Sequence, residues 1–162
     1  MTAEQPAASG KRYVPIPPDP EAASWKGPVV SRGWLRARHP WLHPFAVTSL
    51  LFQWLRLKKE LDHSPGLLLF EYRFRFDQLL FGMHVCWRSK QDEAEFYRSS
   101  SHKTMADWAM RSPLLPAVKL EHLALDSTNR VIRLGGFYAC ESETDLPAGD
   151  FLFPPAETAP LS

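Results

Sequence analysis

Leu67-Leu68-Leu69-Phe70-Glu71-Tyr72-Arg73-Phe74-Arg75-Phe76 alternates apolar with charged side chains, and this alternation decides the fold. Leu68, Phe70, Tyr72, Phe74 and Phe76 point one way and Glu71, Arg73 and Arg75 the other, the period of two that a pleated strand imposes. Asp77-Gln78 reads as a hairpin tip, and Leu79 to Trp87 returns as a second strand. That strand is apolar on both faces, with Phe81, Met83, Val85 and Trp87 on one and Leu80, Gly82, His84 and Cys86 on the other. Such a strand belongs inside a sheet, covered on both sides. Ser89-x-x-Asp92 then resembles a helix capping box, with Asp92 in the place of the usual Glu or Gln. It predicts a helix from about Lys90 to Met110, interrupted near Ser99-Ser100-Ser101 because serines compete for helical hydrogen bonds. Ala94, Tyr97, Met105 and Trp108 mark the expected inward stripe.

Working outward, Val29 to Leu35 predicts an earlier strand, weakened by Gly33, and His39 to Pro44 an aromatic-proline loop. A helix follows from about Pro44 to Asp62, with Val47, Leu50, Leu51, Trp54 and Leu61 at helical spacing and Gln53, Arg56, Lys59 and Glu60 on the wet side. Ala117 to Leu125 and Val131 to Cys140 predict a closing antiparallel pair around Asp126-Ser127-Thr128-Asn129. The order is βαββαβ with one additional strand, an α+β, ferredoxin-like antiparallel sheet with its helices on one face. The other face is left bare, and a second copy stacked sheet to sheet would cover it, so a homodimer is expected. Residues 1–28 read as a disordered Pro-rich arm, 29–142 as the folded domain and 143–162 as a flexible Pro-rich tail.

The bulk composition narrows the function classes. The chain has 162 residues, enough for one domain with a real core. Its 19 basic and 18 acidic residues leave a formal charge of +1, which gives no basic field for gathering nucleic acid. Cys86 and Cys140 lie in apolar strand patterns and read as buried thiols. There is no CxxC or HExxH, so no metal site is expected, and no GxGxxG or P-loop. No stretch approaches the roughly 20 apolar residues of a spanning helix, and the N-terminus has no apolar signal core. A cytoplasmic protein without a membrane partner is expected.

Trp87-Arg88-Ser89 closing a strand, followed by His102 and Trp108, resembles the dimeric α/β-barrel superfamily over roughly Val29 to Cys140. The likeness is to its antibiotic-biosynthesis, spheroidene and haem-degrading monooxygenase branches and their uncharacterised relatives. The resemblance implies a pocket between sheet and helices for an aromatic substrate or haem, with Trp87 in its wall and His102 as haem ligand or proton acceptor. Several members use an Asn together with the Trp and His. Here the single Asn, Asn129, falls in a predicted turn, and none stands on the first strand. Either another group such as Ser31 serves, or that chemistry is absent.

The reading that results is a monooxygenase-like oxidoreductase acting on a flat hydrophobic or aromatic substrate, with no cofactor or with haem. His102 and Trp87 are the expected catalytic pair, and Tyr72, Phe74, Met83, His84, Tyr97 and Trp108 the expected substrate-binding set. Each has a plainer alternative. Trp87 could be a core aromatic, His102 a solvent-facing histidine and His84 a satisfied interior one. The rival functions are a non-catalytic dimeric binding or scaffold protein and a haem-binding lyase.

Overall fold

The computed structural model describes residues 10–38 and 45–145. The chain runs β1 (Arg12–Ile16), a 3-10 turn (Pro20–Ser24), β2 (Val29–Arg36), α1 (Phe45–Leu61), β3 (Leu67–Arg75), β4 (Leu80–Trp87), α2 (Lys90–Arg98), α3 (Ser100–Arg111), β5 (Ala117–Leu125), β6 (Val131–Cys140) and a last 3-10 turn (Glu143–Asp145). The strands form one sheet in the order β1-β6-β5-β2-β4-β3, antiparallel throughout. The four strands β5-β2-β4-β3 with their helices are the βαββαβ unit expected from the alternation pattern, and β6 and β1 extend it. The fold is α+β and ferredoxin-like.

The helices cover one face. β2 turns Val29, Ser31, Gly33 and Leu35 toward them, all buried, and turns its alternate, half-buried residues to the other side. α1 answers with Leu50, Trp54, Leu57 and Leu61, whose spacing places them on one stripe. Trp54 packs against Phe70, Tyr72 and Phe81 at ring separations of 5.2, 5.3 and 4.7 Å. Each fully buried side chain of this size stabilises the fold by roughly 1.5–3 kcal/mol.

The start of α2 shows how local chemistry sets the layout. Ser89 accepts from the Asp92 backbone N–H, the first half of the expected capping box, while the Asp92 carboxylate accepts from the Ser89 hydroxyl in place of its backbone N–H. Gly66, at φ +80°, passes directly over that carboxylate, and a Cβ there would lie 2.2 Å from Asp92 Cγ. The expected serine interruption falls at Ser99, which ends α2 and caps α3 through a 3.3 Å bond from the His102 backbone N–H.

Two expectations are corrected. The supposed disordered arm is structured from Lys11 on: β1 pairs with β6 from Arg12↔Cys140 to Ile16↔Gly136. The buried Lys11 donates from Nζ to the Ala109, Met110 and Ser112 carbonyls at the end of α3. Edge pairing is a main-chain event, so it leaves little side-chain signal, and proline is tolerated in an edge strand. The second correction is the phase of α2. Asp92, Glu93 and Phe96 are its buried residues, and Ala94 is only half-buried. Two acids face inward because each has hydrogen-bond donors waiting for it. The expected His39–Pro44 loop, most of the expected tail and the first nine residues of the expected arm lie outside the described residues.

Candidate functional site

Across the sheet, residues pair in rows. Met83, Gly33, Leu120 and Phe137 form one row on the helix-covered face, and Val85, Ser31 and His122 form the next. Gly33 has no side chain to fill the space above it, and a Cβ there would come within 2.7 Å of the Lys119 carbonyl oxygen. The result is a half-open pocket of about 100 Å³. Gly33, Met83, Leu120 and Phe137 form its floor, Leu57 of α1 and Met105, Ala106 and Met110 of α3 its roof, and His102 joins its wall. Lys119 also borders it, but its strand position turns that side chain to the opposite face. His102 is therefore the titratable side chain that serves the pocket.

His102 is shaped for a neutral state. Burial pulls its pKa down to about 4; a hydrogen bond to the Tyr97 backbone carbonyl and the charge of Glu60 pull the other way, and His122 adds to the lowering. Its place in the first turn of α3 acts in the same sense as burial, since a helix N-terminus disfavours a cation. A neutral imidazole has one donor and one acceptor nitrogen, and the Tyr97 backbone carbonyl favours the protonated ring. The Ser99 break makes this possible, because it frees the last carbonyls of α2 beside the first turn of α3.

Beneath the next row lies a buried polar network. Ser31 donates to Glu93 Oε1 at 2.5 Å, Trp87 Nε1 donates to Ser31 Oγ at 3.1 Å, and His122 Nδ1 meets the same Glu93 oxygen at 2.8 Å. Burial pushes the Tyr97 phenol well above its usual range, Glu93 adds to the rise, and a Ser31 hydrogen bond tempers it. The Tyr97 ring stands edge-on to His102 at 4.3 Å and to His122 at 5.3 Å. A satisfied network of this kind holds its members in one arrangement. It holds the Tyr97 ring, against which the His102 ring packs edge-on.

The sequence-predicted residues divide. His102 and Met83 line the pocket. Tyr97 sits behind His102 and belongs to the network. Trp87 is not a pocket wall: it is fully buried at the end of β4, under Phe96 and bonded to Ser31. Tyr72 and Phe74 lie on β3, at the sheet edge, where Trp54 and Phe81 pack against them; Tyr72 is 53% exposed. Trp108 packs against the core rather than lining the pocket. His84 is on the opposite face, paired across from Glu71, where burial lowers its pKa. Strand alternation forbids Met83 and His84 from sharing one cavity. Glu93 and His122 were missed, and Glu60, expected on the wet side, turns one carboxylate oxygen into the protein.

A closed cavity of about 150 Å³ accommodates benzene, so the half-open pocket of about 100 Å³ is on the scale of one ring and does not enclose a macrocycle as it stands. No step is routed through haem. Among the described residues, no three His, Cys, Asp or Glu side chains cluster as metal ligands. No helix among them is long and apolar enough to cross a membrane.

The arrangement belongs to the ferredoxin-like α+β class, with a pocket between sheet and helices. Among solved structures the chain is similar to a protein from Shewanella oneidensis, at TM-score 0.53 and 11% identity, covering 75% of this chain and 99% of that one. It is also similar to a conserved protein from Methanosarcina mazei Go1, at TM-score 0.50 and 12% identity, covering 59% and 90%. A structure provisionally named an antibiotic biosynthesis monooxygenase, from Caulobacter crescentus CB15, matches at TM-score 0.48 and 17% identity, covering 65% and 97%. Likeness at these identities shows the fold. No protein-family model matches the chain, and no curated protein matches it.

Proposed function

We propose that the protein is a monooxygenase-like oxidoreductase acting on a flat aromatic substrate with an acidic hydroxyl, bound between the sheet and α3. The observation that carries this reading is a histidine in the wall of an otherwise apolar pocket, held toward its neutral form by burial. The resemblance of Trp87-Arg88-Ser89 and His102 to the monooxygenase branches of the superfamily supports it.

The substrate ring lies over Gly33, between Met83 and Met105, with its hydroxyl toward the acceptor nitrogen of His102. His102 takes the phenolic proton. The phenolate is electron-rich enough to reduce dioxygen itself, so no flavin or nicotinamide is required. One oxygen atom enters the ring to give a quinone and the other leaves as water, so the phenol supplies every electron consumed. The apolar walls exclude bulk water and strengthen the interaction of the phenolate with the imidazolium.

The assay is oxygen uptake with a panel of planar phenols, run on wild type and on His102→Ala. Uptake that depends on His102 while the circular dichroism is unchanged supports the reading. Binding without uptake would favour the scaffold alternative, and a saturable Soret band on hemin addition would favour the haem-binding lyase.

We also propose a homodimer formed through the helix-free face. That face carries the Arg32–Glu121 ion pair at 3.1 Å, Lys119 at 3.2 Å from the same carboxylate, and the half-buried Trp34. Light scattering on the eluting protein should give twice the chain mass. A monomer at micromolar concentration would reject the proposal.

A further inference from the structure

The pocket over Gly33 is closed on one side and open on another. Leu57 of α1, with Met105 and Ala109 of α3, is buried, while Ala106 and Met110 of α3 and Phe137 of β6 are half-buried. Beyond β6 the sheet continues onto β1. Residues paired across a sheet share a face, so Pro15, paired with Phe137, and Tyr13, paired with Ala139, stand on the pocket side. Both are exposed, so no helix covers that face past β6. The open side of the pocket therefore faces β1.

At that opening the Tyr13 ring stacks on the Phe137 ring, with centroids 5.2 Å apart and planes inclined by 25°. Phe137 belongs to the pocket floor, whereas Tyr13 is 53% exposed. The strand that carries Tyr13 is held from two directions. Its backbone pairs with β6, and Lys11 Nζ, two residues before Tyr13, donates to the Ala109, Met110 and Ser112 carbonyls at 2.9, 3.1 and 2.9 Å. Ala109 and Met110 themselves line the pocket, so the same lysine ties the strand to the pocket roof. A tyrosine fixed in this way presents a large flat surface with few rotatable bonds left to order.

We propose that Tyr13 is a specificity-determining residue that contacts the substrate at the rim of the pocket. This role rests on the function proposed above. The space over Gly33, about 100 Å³, holds the reacting ring. A second ring fused to it projects through the open side and meets the rings of Phe137 and Tyr13. A one-ring phenol stays inside and does not reach Tyr13. The strand outside the βαββαβ unit thus supplies a contact that separates two-ring from one-ring phenols.

The test measures the dissociation constants of phenol and 2-naphthol with wild type, Tyr13→Val and Tyr13→Phe. Tyr13→Val removes the ring and leaves a good strand former, so β1 keeps its pairing. It should weaken 2-naphthol by about three- to tenfold, the worth of one aromatic contact, and phenol by less than about twofold. Tyr13→Phe keeps the ring and should match wild type for both ligands. Unchanged 2-naphthol affinity in Tyr13→Val would overturn the proposal. So would equal losses for the two ligands, the mark of a displaced strand, or a wild type that binds no 2-naphthol. Oxygen uptake separates this role from the reaction. Selective loss of 2-naphthol without uptake on wild type would support the contact and reject the oxygenase. Uptake with 2-naphthol that ignores Tyr13 would do the reverse.

Discussion

Acidifying the protein from pH 7 to pH 4 removes stability through one identifiable group. In the fold His102 titrates at about 4, against 6.5 for an ordinary histidine. Above 6.5 the ring is neutral in both folded and unfolded chains, and the group contributes no pH dependence. Below 6.5 the unfolded chain binds a proton that the folded chain refuses, so stability falls as pH falls, until the folded ring also titrates. At about 1.4 kcal/mol per pH unit, the loss from this group is about 1.4 kcal/mol at pH 5.5 and about 3 kcal/mol at pH 4. Carboxylates also begin to titrate there, so the comparison is with His102→Gln, which retains a donor for the Tyr97 carbonyl. Urea unfolding of both proteins at pH 7, 5.5 and 4 gives the difference directly. The gap between them should shift in favour of the variant by about 3 kcal/mol over that range. Parallel curves would refute the claim that His102 is buried and neutral.

Trp87→Phe keeps the ring but removes the Nε1 donor to Ser31, and should destabilise the protein by about 1–3 kcal/mol in urea unfolding. Gly66→Ala forces a Cβ against Asp92 at a positive φ, and should lower stability well beyond the roughly 1 kcal/mol of an ordinary glycine replacement, read as a drop in Tm. Lys11→Met removes the cation that joins the end of α3 to β1, and amide exchange in Arg12–Ile16 and Ala109–Ser112 should accelerate together. Ala106→Phe fills the pocket from a helix position, and should abolish binding of a planar phenol in a titration followed by tryptophan fluorescence while the circular dichroism is retained.

Much of the fold was legible because the sheet and α1 bury their apolar faces at regular spacing. The Leu67–Trp87 hairpin, the Ser89 cap and the Ser99 break all follow from local rules that a sequence displays. β1 was not legible, since its place depends on backbone pairing with β6 and on three carbonyls that Lys11 reaches some hundred residues away. In the candidate site, His102 and Met83 line the pocket over Gly33 and the other expected residues lie elsewhere, because an aromatic residue signals burial without saying which cavity it faces. Trp87 shows this most clearly: its motif marks the strand end, while its indole serves Ser31. His122 left a usable trace. It follows Val118 and Leu120 at alternate positions of β5, so a polar ring stands where the pattern calls for an apolar one. Glu93 left none, because an acid beside a capping Asp92 reads as helix-terminus chemistry. Ser31, named as a stand-in for the missing Asn, is bonded to both Trp87 and Glu93.

The central claim is that the space over Gly33 receives a flat aromatic ligand. The chain has four methionines, and three of them, Met83, Met105 and Met110, line that space. Methyl-labelled methionine resonances followed during titration with 4-nitrophenol therefore report on the pocket directly. The account predicts that the Met83, Met105 and Met110 signals move together and saturate. Three unmoved pocket methionines at saturating probe would contradict it.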